Sequence, residues 1–120
     1  MLELRIDDLW FHYAGRRVFD GWSASCPAGV TWLRGANGSG KSTLLRLLAG
    51  SLRPEAGTLS LAGCEAGADP LGWRRQLLWC DAEPWPVPWL TLSECLGLVA
   101  GLYPGDHEAA VREQLQHLAL

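Results

Sequence analysis

Residues 35–42, Gly35-Ala36-Asn37-Gly38-Ser39-Gly40-Lys41-Ser42, fit G-x-x-x-x-G-K-[ST] at every fixed position, and that pattern works only between a strand and a helix. The flanks supply both. Val30, Trp32 and Leu33 form a short apolar run predicting a strand over residues 30–33, while Leu44, Leu45, Leu47 and Leu48 repeat at helical spacing over residues 42–49. Gly50 is placed to close that helix. Glycines at 35, 38 and 40 allow backbone conformations closed to other residues, so successive N–H groups can turn inward as a concave anion nest. The start of the helix adds its unsatisfied amides and its dipole, a contribution of about 0.3–1 kcal/mol in exposed settings. Lys41 is then expected to reach β and γ phosphates, Ser42 to offer its hydroxyl to Mg²⁺, and Thr43 to bond an α phosphate. A glycine-rich turn that merely caps a helix gives no reason for Lys41 beside Ser42.

The rest of the chain sorts around this unit. Leu2, Leu4 and Ile6 alternate with polar residues, as do Trp22, Ala24 and Cys26, so the first third reads as strands joined by turns, with one turn at Pro27-Ala28-Gly29. Pro54-Glu55-Ala56-Gly57 is a turn, residues 58–61 are a strand, and residues 77–80 are a second short apolar strand. Trp73-Arg74-Arg75, just before it, reads as the start of a surface helix in preference to a phosphate contact. Trp85-Pro86-Val87-Pro88-Trp89 is an ordered loop, because its prolines lack donors for a helix or a central strand. Thr91 and Glu94 form a capping-box signal for a helix through Leu102. After Pro104-Gly105-Asp106 another helix carries Ala110, Val111, Leu115 and Leu118 on one stripe.

Composition narrows the class. With 120 residues and 48% hydrophobic content the chain suits one globular domain. Its richest apolar stretch, residues 92–102, is broken by Glu94 and Gly97 and falls short of the roughly 20 residues of a membrane-spanning helix. The opening Met1-Leu2-Glu3-Leu4-Arg5 lacks the basic start and apolar run of an export signal, so the cytoplasm is expected. Cys26, Cys64, Cys80 and Cys95 form no C-x-x-C pair and read as reduced structural thiols. Residues 1–53 hold seven basic and four acidic side chains, and residues 54–120 three and nine. That asymmetry favours a local anion site near the loop over a nucleic-acid surface. His12, His107 and His117 have no ligand spacing and receive no role.

The surroundings of the loop carry a family likeness. Leu33-Arg34-Gly35 through Thr43-Leu44-Leu45, followed by Leu48-Ala49-Gly50, Pro54-Glu55-Ala56-Gly57 and Leu61-Ala62-Gly63, closely resembles the start of an ATP-binding cassette (ABC) domain. The likeness runs over essentially the whole of residues 1–120. It implies an α/β fold: a P-loop NTPase core with an N-terminal antiparallel β subdomain, incomplete at its C-terminal end. It further implies ATP and Mg²⁺ as ligands, with Gly35, Ala36, Asn37, Gly38, Ser39, Gly40, Lys41, Ser42 and Thr43 around the phosphates and Ser42 on the metal. An aromatic residue upstream stacks on adenine in that family, and Leu9-Trp10-Phe11-His12-Tyr13-Ala14-Gly15 resembles this element, with Tyr13 as the stacker and Trp10 or Phe11 as substitutes. A Tyr13 buried in the first sheet is the plain alternative. The partners implied are a second cassette, identical or not, and transmembrane permease subunits, which would hold the chain at the inner face of a membrane. Residues 84–89 match the stretch that faces those subunits, so Trp85 or Trp89 is expected either to dock a partner or to be buried within the domain. Arg74-Arg75-Gln76-Leu77-Leu78-Trp79 resembles the cassettes of the haem exporter of cytochrome c maturation.

Two departures bear on chemistry. In the family resembled, a glutamine that holds Mg²⁺ and senses the γ phosphate follows the strand matched by residues 77–80, and here Ala82 stands there, with Asp81 and Glu83 beside it read as solvated loop acids in preference to metal ligands. The LSGGQ signature, the Walker B aspartate with its glutamate, and the switch histidine do not occur in these residues, so no catalytic residue for hydrolysis is assigned. A parallel sheet without its later strands is expected to expose an apolar edge. The resemblance leaves open a transporter ATPase subunit, of which these residues are a portion, and a nucleotide-binding module not tied to transport.

Overall fold

A computed structural model describes residues 2–83, 87–103, 105 and 108–118. Its elements are β1 (Glu3–Tyr13), β2 (Arg16–Pro27), α1 (Lys41–Ala49), β3 (Ala56–Leu61), β4 (Cys64–Glu65), α2 (Pro70–Arg75), α3 (Leu92–Leu102) and α4 (Glu108–His117). They fall into two compact units, Met1–Trp79 and Cys80–Leu120.

The first unit is built on a four-stranded sheet in the order β2-β1-β3-β4, with every neighbouring pair antiparallel. β1 and β2 are joined by the two-residue turn Ala14-Gly15, both at positive φ (49° and 76°), the geometry that matches the twist of a hairpin. β1 does not keep one alternation. Ile6 is buried, and so are Leu9 and Phe11 three and five residues on, which needs one extra residue in the strand. The register of β1 with β2 slips between Ile6 and Leu9, and Asp8 takes φ 51° there. Its amide donates to Ser23 Oγ at 2.9 Å, and its Oδ1 accepts from Trp10 Nε1 at 3.2 Å. β3 crosses the same bulge at Gly57, φ 95°, where a Cβ would clash with the Asp8 carbonyl.

Ile6, Leu9 and Phe11 of β1, Leu59 of β3, Leu44 and Leu47 of α1, and Trp73 of α2 make the core. Each is 7% exposed or less, and full burial of one such side chain is worth about 1.5–3 kcal/mol. Trp73 corrects the sequence expectation, for it lies within the core and not on a surface helix. Its Nε1 donates to Leu48 O at 2.7 Å, and Arg74 donates to Gly50 O at 3.1 Å. Both side chains of α2 thus occupy carbonyls at the C-terminal end of α1, where donors and positive charge are favoured. Gly50 ends α1 at φ 79°, its N–H directed back to Arg46 O and Leu47 O.

Two expected strands do not form, so the parallel core sheet of the expected P-loop fold is not assembled among the described residues. Residues 30–33 form no strand and have no strand partner, and Val30 and Trp32 are fully and largely exposed. Residues 77–80 likewise carry no strand pairing, although Leu77 packs on the core. A continuous apolar run is stable as a strand only with neighbours that cover both faces and pair both edges. The four strands that do pair come from other segments and leave none for this role. Arg34 lies over the Trp32 ring, 4.9 Å from its centroid, as partial cover.

In the second unit the Thr91 hydroxyl accepts from the Glu94 amide at 3.2 Å, and the Glu94 carboxylate accepts from the Thr91 amide at 2.7 Å. This reciprocal box starts α3 as the sequence predicts. The Glu94 carboxyl is held below its ordinary value, first by that backbone bond. Trp89 is exposed among the described residues, whereas Trp85 and His107 lie outside them.

Candidate nucleotide-binding site

α1 begins at Lys41, directly after a loop that no side chain caps. The Gly40 carbonyl accepts from the Leu44 amide at 2.9 Å, so the amides of Lys41, Ser42 and Thr43 precede the first intrahelical donor and are left for another partner. The first turn holds no acidic residue. Gly40 sits at φ 103°, and a Cβ there would come within 2.6 Å of Val18 Cγ1. Only glycine therefore lets the loop close against β2 at this point.

A cavity of about 300 Å³ opens over this helix start. Its floor is Lys41, Ser42 and Thr43, one wall is Asn37, Gly38 and Gly40, and the other is Tyr13, Arg16 and Val18 of the β1–β2 hairpin. Tyr13 is 54% exposed, and its ring lies 6.4 Å from that of buried Phe11 at an interplanar angle of 28°. Of the three aromatic candidates only Tyr13 lines the cavity. Phe11 belongs to the core, and Trp10 is turned to Asp8. Gly35, Ala36 and Ser39 are not among its lining residues. Lys41 Nζ donates to Gly35 O at 2.5 Å and to Ala36 O at 2.8 Å, and the Ser39 amide donates to Ala36 O at 3.1 Å.

The donor set suits a polyphosphate. Two cations, the Ser42, Thr43 and Tyr13 hydroxyls and the free amides of a helix start line the cavity, and no carboxylate does. Among the described residues no group of three or more His, Cys, Asp or Glu side chains forms a metal cage. Ser42 brings a hydroxyl oxygen to the cavity, a donor type that suits a hard divalent ion. Asp81 and Glu83 belong to the second unit and are exposed, with the Asp81 carboxylate accepting from the Ala82 amide at 2.7 Å.

The sequence reading missed Arg16 and the His12–Glu55 pair. Arg16 donates to Gly38 O at 2.9 Å. Glu55 accepts from the His12 amide at 3.1 Å and meets His12 Nδ1 at 2.5 Å, while Arg17 Nε donates to His12 Nε2 at 3.3 Å. The last contact makes Nε2 an acceptor and so puts the ring proton on Nδ1, facing Glu55. The Glu55 carboxyl is held below its ordinary value, chiefly by this side-chain bond. Only the cross-strand position of Arg16 opposite Tyr13 could have announced the first of these, and nothing local announces the second.

The family model for ABC transporters matches residues 19–120. A cytochrome c biogenesis ATP-binding export protein, CcmA, of Cupriavidus pinatubonensis is 49% identical over 56% of this chain and 30% of its own length. The protein of the same name from Salmonella typhi is 38% identical over 88% of this chain and 50% of its own. Both carry the name of the group whose cassettes residues 74–79 resemble. A solved structure of the ATP-binding subunit of an ABC transporter superposes with a TM-score of 0.72 and 28% identity, over 96% of this chain and 48% of that one. The chain thus spans half or less of the length of these relatives. Its antiparallel sheet with flanking helices fits the front part of such a subunit, and it belongs to the ATP-binding family of ABC transporters.

Proposed function

We propose that these residues are the N-terminal portion of a nucleotide-binding domain that takes MgATP and energises transport through partner membrane subunits. The phosphates would lie on residues 35–43, with Lys41 at the β and γ positions, Ser42 on Mg²⁺ and Thr43 at the α position. Adenine would stack on Tyr13. The observation that carries this reading is the meeting of an uncapped helix start, Lys41 and an exposed tyrosine at one cavity without a carboxylate. Family membership supports it.

A second cassette, identical or different, and a permease are the proposed partners, with exposed Trp89 a candidate contact to the latter. No helix of the described residues is long and apolar enough to cross a membrane, so attachment to the inner face would run through those subunits. Hydrolysis would require groups that these residues do not supply.

The test is titration of a fluorescent ATP analogue. Lys41→Ala is expected to weaken binding at least tenfold, as loss of a charge-assisted bond does. Tyr13→Ala is expected to weaken it several-fold, since base stacking contributes about 1–3 kcal/mol. Unchanged affinity in Lys41→Ala would remove the phosphate site, and unchanged affinity in Tyr13→Ala would remove the adenine platform.

A further inference from the structure

We propose that Arg16 is a second cationic ligand of the triphosphate, reaching it from the hairpin side while Lys41 reaches it from the helix. The inference rests on the nucleotide reading above and adds a residue to that site. Arg16 opens β2 directly across the Ala14-Gly15 turn from Tyr13, its cross-strand partner. Its guanidinium spans the mouth of the cavity to the phosphate loop. One terminal nitrogen donates to Gly38 O at 2.9 Å, and the other lies 3.7 Å from where a Gly38 Cβ would be.

The neighbouring arginine shows what is unusual here. Arg17 is taken up by Asp20 at 3.0 Å and by His12, within an acid-bearing network on the hairpin. Arg16 forms no ion pair among the described residues and has a single neutral acceptor for its five N–H donors. Lys41 is in the same condition, held by two loop carbonyls and no acid. Both cations of the cavity therefore rest on main-chain oxygens that a phosphate oxygen can replace with a stronger, charge-assisted bond. The planar fork of an arginine fits two phosphate oxygens at once. Because Tyr13 and Arg16 are paired across a two-residue turn, base and phosphate contacts would come from one hairpin end.

Calorimetry on the full chain, with MgATP and with inorganic tripolyphosphate plus Mg²⁺, tests this. Arg16→Ala is expected to raise Kd about tenfold for both ligands, and Arg16→Lys to recover part of the loss by restoring charge without the fork. Tyr13→Ala should weaken MgATP alone. Wild-type affinity of Arg16→Ala for both ligands, with Lys41→Ala still impaired, would overturn the role of Arg16 and leave the nucleotide reading intact. A loss in Arg16→Ala confined to MgATP would also overturn it, since the side chain would then be serving the base and not the phosphates. No binding of MgATP by the wild-type chain would overturn both. Arg16 is exposed, and matching circular dichroism spectra of the variants keep folding out of the comparison.

Discussion

Glu55 clamps His12 by its main-chain and its ring nitrogen together, and so fixes the residue next to Tyr13 at the end of β1. The bond from His12 is the largest cause of its lowered pKa. A carboxyl depressed in the folded state contributes stability that is fully present above its unfolded value and lost as pH falls through the folded one. The clamp should therefore hold at neutral pH and release on acidification below the ordinary value of 4.5. A carboxyl-detected NMR titration is expected to place the Glu55 midpoint under 4.5, and His12→Ala to return it toward 4.5. A midpoint at or above that value in the wild-type chain would contradict the contact. The roles proposed for Lys41 and Ser42 are readable from eight consecutive residues, because they rest on spacing within one loop. The His12–Glu55 pair joins positions 43 apart, and only the pairing of β1 with β3 brings them together.

At the scale of elements, α1 is the best determined by its own sequence. Its leucine spacing, Gly40 before it and Gly50 after it all act within a few residues, and the helix forms where they place it. The capping box of α3 is equally local. β1 needed more. The change of buried parity between Ile6 and Leu9 is written in the sequence, but a bulge is required to read it, and the bulge in turn requires Gly57 on β3. Gly57→Ala would force a side chain onto the Asp8 carbonyl at a positive φ, so a loss of about 1–3 kcal/mol is expected in denaturant unfolding. Wild-type stability of that variant would show the bulge to be softer than described. Residues 30–33 and 77–80 have the composition of strands, yet composition cannot provide the neighbours a buried strand needs.

For the molecule as a whole, the antiparallel sheet, α1 and α2 assemble one body that carries the entire cavity. α2 braces the far end of α1 through Trp73 and Arg74, so the helix start beneath the phosphate loop is anchored from behind. Trp73 was not legible as a core residue, because its neighbours Arg74 and Arg75 give the segment a surface composition. The family likeness was legible from the runs flanking the loop, and the comparisons agree with it. In the proposed site the amides of this helix start, with Lys41, receive the phosphates of a nucleotide. Amide-resolved NMR of the full chain during titration with MgATP reads each of those groups separately. Saturable shifts are expected to concentrate at residues 35–43 and at the hairpin end around Tyr13 and Arg16. Saturable shifts elsewhere, with residues 35–43 unmoved, would contradict the proposed site.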